Sequence, residues 1–310
     1  MKDILIGVDH GNYSIKTSNF TIPSDIINHG KIDPGLDDLL YFNNHYYSIS
    51  RIHGTLERNK TNDERYFILT LFSIAKEILK RNASSNSTVV LGIGVPPGHY
   101  SSTTEDEYIS YFKKGKTISF MYNNIDFLIT ISNVYVFLQG YGALAYTNCD
   151  VVDTTKFNRF ILIDIGGGTI ELVSVYNMCF DREKRYSLPK GTITINNQII
   201  KKVSSQYALE ISEEEINEVL LTNNSLIESA VQELIKNEYK NAALKTIAKA
   251  RELEQDLMLT RSFFTGGGLK YMKPFFNEKN GVKMPYFEEN IRANALGYER
   301  LLNDLLLGDS

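Results

Sequence analysis

Two short segments place the same residue types at the same spacing. Asp9-His10-Gly11-Asn12-Tyr13-Ser14-Ile15-Lys16 and Asp164-Ile165-Gly166-Gly167-Gly168-Thr169-Ile170-Glu171 align without a gap, 155 residues apart. Asp9 falls on Asp164, Gly11 on Gly166, Ser14 on Thr169 and Ile15 on Ile170. Each pairs an aspartate with a turn of small or polar residues. Such a turn lets the backbone approach a ligand, and its successive amides form a nest for phosphate oxygens. An aspartate at the base of the turn suits Mg²⁺, which prefers oxygen ligands and keeps its waters. Lys16 is placed to neutralise phosphate as a point charge, whereas the second copy has Glu171, so the two copies are chemically unequal. A third glycine run, Thr265-Gly266-Gly267-Gly268, offers backbone against which a base or ribose can lie. One such turn is an ordinary hairpin; two matching turns and a later TGGG, in this order, point to a nucleotide site.

The elements that must position these residues can be read around them. Ile4 to Val8 and Phe160 to Asp164 are short apolar runs expected to be buried strands, with return strands from Ser14 and Ile170. Tyr41-Phe42 and Tyr46 to Ile49 form a predicted hairpin, as do Ile118 to Tyr122 and Ile125 to Ile131. Val89 to Val95 reads as a strand and Val136 to Tyr146 as a short helix. Helical spacing covers Asp63 to Arg81, with Phe67, Leu71, Ile74, Ala75 and Ile78 on one face. Ser212-Glu213-Glu214-Glu215 is a capping-box helix start. Ser225 to Thr260 is rich in helix formers, and Ile291 to Leu307 is amphipathic. The repeat implies two similar halves facing one another across a cleft. They are drawn at 1–159, with a small subdomain at about 20–60, and 160–310, with a helical subdomain at about 181–260.

Composition bounds the alternatives. The 310 residues carry 33 basic and 37 acidic side chains, a net charge of −4, and are 43% apolar. Those values fit an ordinary globular chain of about two domains. Without a basic excess, direct nonspecific nucleic-acid binding is not expected. Cys149 and Cys179 are too few for a disulfide scaffold, and the five histidines lack ligand spacing, so neither zinc nor an oxidising compartment is expected. The apolar run at the N-terminus stops at Asp9, and no later stretch reaches the length of a membrane span, so the expected location is cytoplasmic.

The order of motifs resembles the actin-like ATPase superfamily. Val8 to Lys16 is similar to its phosphate-1 loop, Ile163 to Thr169 to its phosphate-2 loop and Thr265 to Leu269 to its adenosine loop. Leu138 to Leu144 (LQGYGAL) resembles the first connecting helix, and Ile291 to Tyr298 the second. Within the superfamily the ParM/StbA plasmid-partitioning branch is most similar. The cues are Lys16-Thr17-Ser18, Phe20 to Ser24, the tyrosine-rich hairpin leading to Gly54, Gly92 to Pro96, and Leu188 to Thr194.

The resemblance implies an α/β, ribonuclease H-like duplicated fold around a nucleotide cleft, and an ATPase. ATP is the expected nucleotide, with GTP an alternative, and Mg²⁺ the expected ion. Asp9 and Asp164 would organise the ion and its waters. Gly11, Asn12, Tyr13, Ser14 and Lys16, then Gly166, Gly167, Gly168 and Thr169, then Gly266, Gly267, Gly268 and Leu269, would bind nucleotide. Ser14 and Thr169 would donate hydroxyls to phosphate. Gln139 matches the position that orients the attacking water; a glutamine cannot be a strong base but can hold a nucleophile in line. The resemblance further implies head-to-tail filaments and a DNA-bound adaptor on a plasmid centromere, with no direct contact to nucleic acid or membrane. Only 13 residues follow Gly297, too few for a chaperone's substrate domain. No sugar pocket or catalytic base of a kinase is legible, and the cysteines of a zinc-bearing repressor kinase are missing. An exopolyphosphatase is a rival reading, because DIGGGTIEL resembles its second loop. A non-polymerising nucleotide-binding scaffold is another.

Overall fold

The computed structural model describes residues 3–50, 59–113, 117–147, 159–177, 179–222, 226–253 and 255–308. The cue at Gly54, the residue Cys149 and the boundary proposed at 159/160 on its N-terminal side fall at or beside positions outside these. The chain divides into two compact units, one of residues 1–148 and 292–310, the other of 149–291.

The first unit is built on a nine-stranded sheet. Its strands are β1 (Ile4–His10), β2 (Ser14–Lys16), β3 (Thr21–Pro23), β4 (Ile26–Gly30), β5 (Leu39–Phe42), β6 (His45–Ile49), β7 (Asn86–Val95), β8 (Thr117–Tyr122) and β9 (Ile125–Leu138). The order is β3-β2-β1-β7-β9-β8-β5-β6-β4, so the proposed small subdomain continues the same sheet through β5 and β8. The hairpins form where the sequence places them. Their two-residue turns, Asn43-Asn44 and Asn123-Asn124, have all four φ values between 48° and 64°, which asparagine tolerates and hairpin twist requires. Helix α1 (Glu64–Lys80) starts at Asp63, whose carboxylate accepts from the Arg65 amide at 2.9 Å. Its Phe67, Leu71, Ile74 and Ile78 are fully buried with Ile6, Val8, Leu91 and Ile93 of the sheet. Helix α2 (Ser102–Lys113), not anticipated from the sequence, adds Tyr108 and Phe112 to that core.

Two expectations are corrected here. Val136 to Leu138 is strand, the end of β9, and only α3 (Tyr141–Tyr146) is helical. The reason is pairing: Val136, Phe137 and Leu138 lie in register with Ile93, Gly94 and Val95, and the Gln139 amide still donates to the Val95 carbonyl at 2.9 Å.

The second unit holds a five-stranded sheet of β10 (Arg159–Ile165), β11 (Ile170–Tyr176), β12 (Cys179–Leu188), β13 (Arg261–Thr265) and β14 (Pro285–Phe287), ordered β12-β11-β10-β13-β14. Helices α4 (Thr192–Tyr207), α5 (Glu213–Leu221), α6 (Ser229–Glu252) and α7 (Leu269–Met272) pack their apolar residues with Ile161, Ile163, Ile165 and Phe264. The capping box at α5 is complete: Ser212 Oγ accepts from the Glu215 amide and the Glu215 carboxylate accepts from the Ser212 amide at 2.7 Å.

The second correction concerns α8 (Ala293–Gly308). The sequence division assigns it to the second half, yet it packs on β1, β7 and α3 of the first unit. Small residues permit this. A Cβ on Gly297 would lie 1.7 Å from the Gly142 carbonyl oxygen, so the backbones of α3 and α8 touch. No described helix is long and apolar enough to cross a membrane.

Candidate functional site

The repeat seen in the sequence is a repeat of backbone register. In the first unit Asp9 pairs with Lys16 and His10 with Ile15; in the second Asp164 pairs with Glu171 and Ile165 with Ile170. On its other side β1 pairs in parallel with β7, and β10 pairs in parallel with β13. Each unit thus has an aspartate one residue before the end of a central strand, a turn, and an antiparallel return strand, of three residues in the first unit and seven in the second.

In the first unit the structure gathers Asp9, Lys16 and Gln139. Lys16 Nζ donates to Asp9 Oδ2 at 3.2 Å, and Gln139 Nε2 donates to Asp9 Oδ1 at 3.1 Å. Asp9 is 5% exposed. A carboxylate taken from water in this way needs those charged and amide donors. Gln139 reaches it because β7 and β9 end side by side. Its next residue, Gly140, has φ of 84° and turns the chain into α3. Asn294 of α8 fixes this turn, its Oδ1 accepting from the amides of Gly140 at 3.0 Å and Ala143 at 3.1 Å.

The turn itself is not uniform. Tyr13 is exposed and Ser14 buried. The Gly11 amide folds back on the Asp9 carbonyl at 3.0 Å. Asn12 is held from behind: its carbonyl accepts from Ser24 Oγ at 2.5 Å and its Oδ1 from the Tyr66 hydroxyl at 3.3 Å. The Asn12 side chain therefore braces the turn against α1. His10 is fully buried against Phe112, with Nε2 on Thr70 Oγ1 at 2.8 Å. Burial, with the nearby Lys60 charge, pushes its imidazole well below the ordinary histidine value, so it stays neutral behind the turn.

In the second unit the two glycine runs come together, because β10 and β13 are neighbours and Asp164 pairs with Thr265. The Gly268 amide donates to the Ile165 carbonyl at 2.9 Å. Gly266 has φ of 96°, and a Cβ there would lie 2.3 Å from Asp164 Oδ1. Gly267, in contrast, faces open space. The start of α4 is tied to the other run: the Gly191, Thr192 and Ile193 amides donate to the carbonyls of Gly168, Gly166 and Gly167 at 3.0, 3.1 and 2.9 Å. Those bonds consume carbonyls and leave amides. Among the described residues, those of Gly167 and Gly168 donate to nothing in the protein. Thr169 is partly exposed at the far side of the turn, and its carbonyl accepts from the Gly166 amide at 2.9 Å. The Leu269 side chain is 1% exposed within the second core, and its amide donates to the Gly266 carbonyl at 3.1 Å, so it supports the loop by packing.

Among the described residues no three or more His, Cys, Asp or Glu side chains cluster as metal ligands. Each turn offers one carboxylate, which suits an ion that keeps most of its water, as Mg²⁺ does.

Sequence reasoning missed a network behind the first turn. The buried Glu77 accepts from Thr17 Oγ1 at 2.5 Å, from the Asn19 amide at 2.9 Å and from Arg81 Nε at 2.8 Å. Arg81 also pairs with Glu299 of α8 and donates to the Leu5 carbonyl at 2.7 Å. Glu77 and Arg81 stand one helical turn apart, which is the only local signal; the partners are distant in sequence.

Residues 7–142 match the family model described as the actin-like proteins N-terminal domain, and residues 145–261 match that of the Ppx/GppA phosphatase family. No curated protein matches the chain. Among solved structures, a 15-stranded ParM filament from Clostridium botulinum superposes with a TM-score of 0.76 at 19% identity, over 98% of this chain and 100% of that one. The actin-like protein Alp7A gives 0.75 at 13% identity, over 100% and 98%. Ta0583, an archaeal actin homologue in complex with ADP, gives 0.74 at 16% identity, over 97% and 99%. The chain has the two-unit, α/β actin-like fold and resembles its ParM branch.

Proposed function

We propose that this protein is a nucleotide-dependent, filament-forming ATPase. The observation that carries the reading is the conserved register of the two turns, Asp9 with Lys16 and Asp164 with Glu171, with Gln139 on Asp9. In this reading each turn binds phosphate of ATP, or GTP, and each aspartate would hold waters of a Mg²⁺ ion. The ion supplies charge neutralisation at the phosphates. Lys16 adds a cation, the Gly167 and Gly168 amides and the Ser14 and Thr169 hydroxyls donate to phosphate oxygens, and Gln139 orients the attacking water. The glycines of the third run give the base and ribose a flat bed. Head-to-tail contact between copies does not close on itself and gives filaments, which hydrolysis weakens. A DNA-bound adaptor would couple such a filament to a plasmid, so a chain of net charge −4 need not touch DNA itself. The filament structures among the relatives support self-association.

Light scattering, sedimentation and negative-stain microscopy test this. Mg-ATP is expected to give filaments that disassemble as phosphate is released. Monodisperse protein under ATP, GTP and non-hydrolysable analogues, across salt and concentration, removes polymerisation and leaves the nucleotide-binding scaffold. Asp164→Ala is expected to abolish hydrolysis, and normal turnover overturns the site.

The Ppx/GppA match over 145–261 favours a second reading, a phosphohydrolase acting on polyphosphate. Phosphate release from long polyphosphate without any nucleotide distinguishes it.

A further inference from the structure

The second unit carries an apolar pocket at one end and exposed leucines at the other. Phe160 and Arg261 are a register pair near the starts of β10 and β13, away from the glycine turns that follow Asp164 and Thr265 on the same strands. A cavity of about 250 Å³ lies there. Phe160 and Phe263, both buried, line it with Arg261, Met284, Pro285 and Tyr286. The Phe263 and Tyr286 rings stack at 5.2 Å, so one wall is aromatic. The chain beyond α6 returns to this end. The Gln255 side chain meets the Ser174 hydroxyl at 2.9 Å, Ser174 pairs with Ile161, and the Lys283 amide donates to the Leu257 carbonyl at 3.1 Å. The 24 residues of α6 span about 36 Å, so its start at Ser229 stands far from the pocket. Helix α5 belongs to that far end, its Ile216 and Val219 sharing a core with Val231 and Ile235 of the first turns of α6. Leu221, which ends α5, is half exposed, and Leu226 beyond it is wholly exposed.

Charge follows the same polarity. Helix α5 carries Glu213, Glu214, Glu215 and Glu218 and no basic residue. At the other end Arg261 lines the pocket, and the exposed Arg159 and Lys283 adjoin its residues Phe160 and Met284 in the chain. The nearby acid Asp256 lies 4.0 Å from Arg251. An apolar pocket framed by cations suits an acidic helix that ends in leucine, because complementary charge sets the register while the apolar side chain leaves water. The cavity is smaller than the roughly 300 Å³ at which pockets for drug-sized ligands begin, which favours an inserted side chain over a free small molecule. Pocket and leucines stand at opposite ends of one unit, so a chain does not satisfy its own pocket. Two copies meeting head to tail do, and such a heterologous contact repeats without closing.

We propose that the pocket at Phe160, Phe263 and Tyr286 receives the leucine end of α5 from a second copy of this chain. The contact rests on the polymerisation reading above and names its two surfaces. Two single-cysteine full-length proteins, L221C and M284C, each in a C149S/C179S background, are mixed with Mg²⁺ and a non-hydrolysable ATP analogue and treated with a short bismaleimide. The mixture is expected to give at least fivefold more cross-linked dimer than either protein alone, and to lose that excess without nucleotide. In parallel, sedimentation of L221D and M284D is expected to show a critical concentration raised at least fivefold. L221D, at an exposed position, is expected to keep its melting temperature and its affinity for Mg-ADP. The cysteine variants, which change little volume and no charge, carry the test if M284D does not fold. Assembly of the unaltered protein without cross-linking between positions 221 and 284 overturns this contact and leaves the polymerisation reading standing. Cross-linking in L221C alone or M284C alone that equals the mixture overturns it too, since it reports like surfaces meeting. An unaltered protein that stays monodisperse under every nucleotide removes both.

Discussion

Gln139 Nε2 donates to Asp9 Oδ1 at 3.1 Å across 130 residues of chain, while Lys16 holds the other carboxylate oxygen at 3.2 Å. The buried aspartate thus has a different partner on each oxygen. One is a neutral donor from the end of β9, the other a cation from the return strand of its own turn.

This division of labour predicts different outcomes for the two partners. Gln139→Ala removes a neutral donor and is expected to lower hydrolysis by about 10²-fold while nucleotide affinity changes little, since the loss falls on the reacting water. Lys16→Ala leaves a buried carboxylate without its cation. It is expected to cost about 2 kcal/mol of stability, discounted from a fully buried pair because Lys16 retains some exposure, and to weaken nucleotide binding as well. Single-turnover kinetics with chemical denaturation measures both; equal losses of turnover and affinity in Gln139→Ala would count against the water-orienting role.

The Glu77 network predicts an acid limit for the first unit. Burial opposes ionisation of Glu77, but hydrogen bonds from Thr17 and Asn19 and the Arg81 charge outweigh it and hold the carboxyl below the ordinary value of 4.5. A depressed folded-state pKa contributes stability above the unfolded value, and that contribution is lost as pH falls through the folded one. Melting temperature is therefore expected to drop below about pH 5 in the native protein, and to drop less steeply in Glu77→Gln, which starts lower. Parallel pH series on the two proteins check the slope.

Gly297 is expected to tolerate no side chain. A Cβ 1.7 Å from the Gly142 oxygen forces α3 and α8 apart, so Gly297→Val is expected to cost about 3 kcal/mol or more. Because α3 follows Gln139 directly, hydrolysis should fall with stability. Urea unfolding monitored alongside phosphate release tests whether the two losses track each other.

Ser212→Ala offers a control at a distance from the turns. It removes the capping box of α5 and is expected to cost about 1 kcal/mol with hydrolysis unchanged. A large loss of hydrolysis would place α5 in the site.

The sequence by itself determined the local parts. It placed both aspartate turns, the Asn-Asn hairpins, the start of α1 at Asp63 and the cap at Ser212, because each rests on residues a few positions apart. The repeat even carried the register, since strand pairing across a short turn is set by its length. Only the tertiary structure decided which distant groups meet. Val136 to Leu138 has residues that suit a helix or a strand, and pairing with β7 made it strand. Leu269 sits in a nucleotide-type motif, yet its side chain fills the second core. The amphipathic C-terminal helix carries no mark of its partner, and backbone contact at Gly142 and Gly297 gave it to the first unit. The Gln139–Asp9 bond belongs to the same class: its energy depends on a separation in space that spacing along the chain does not encode.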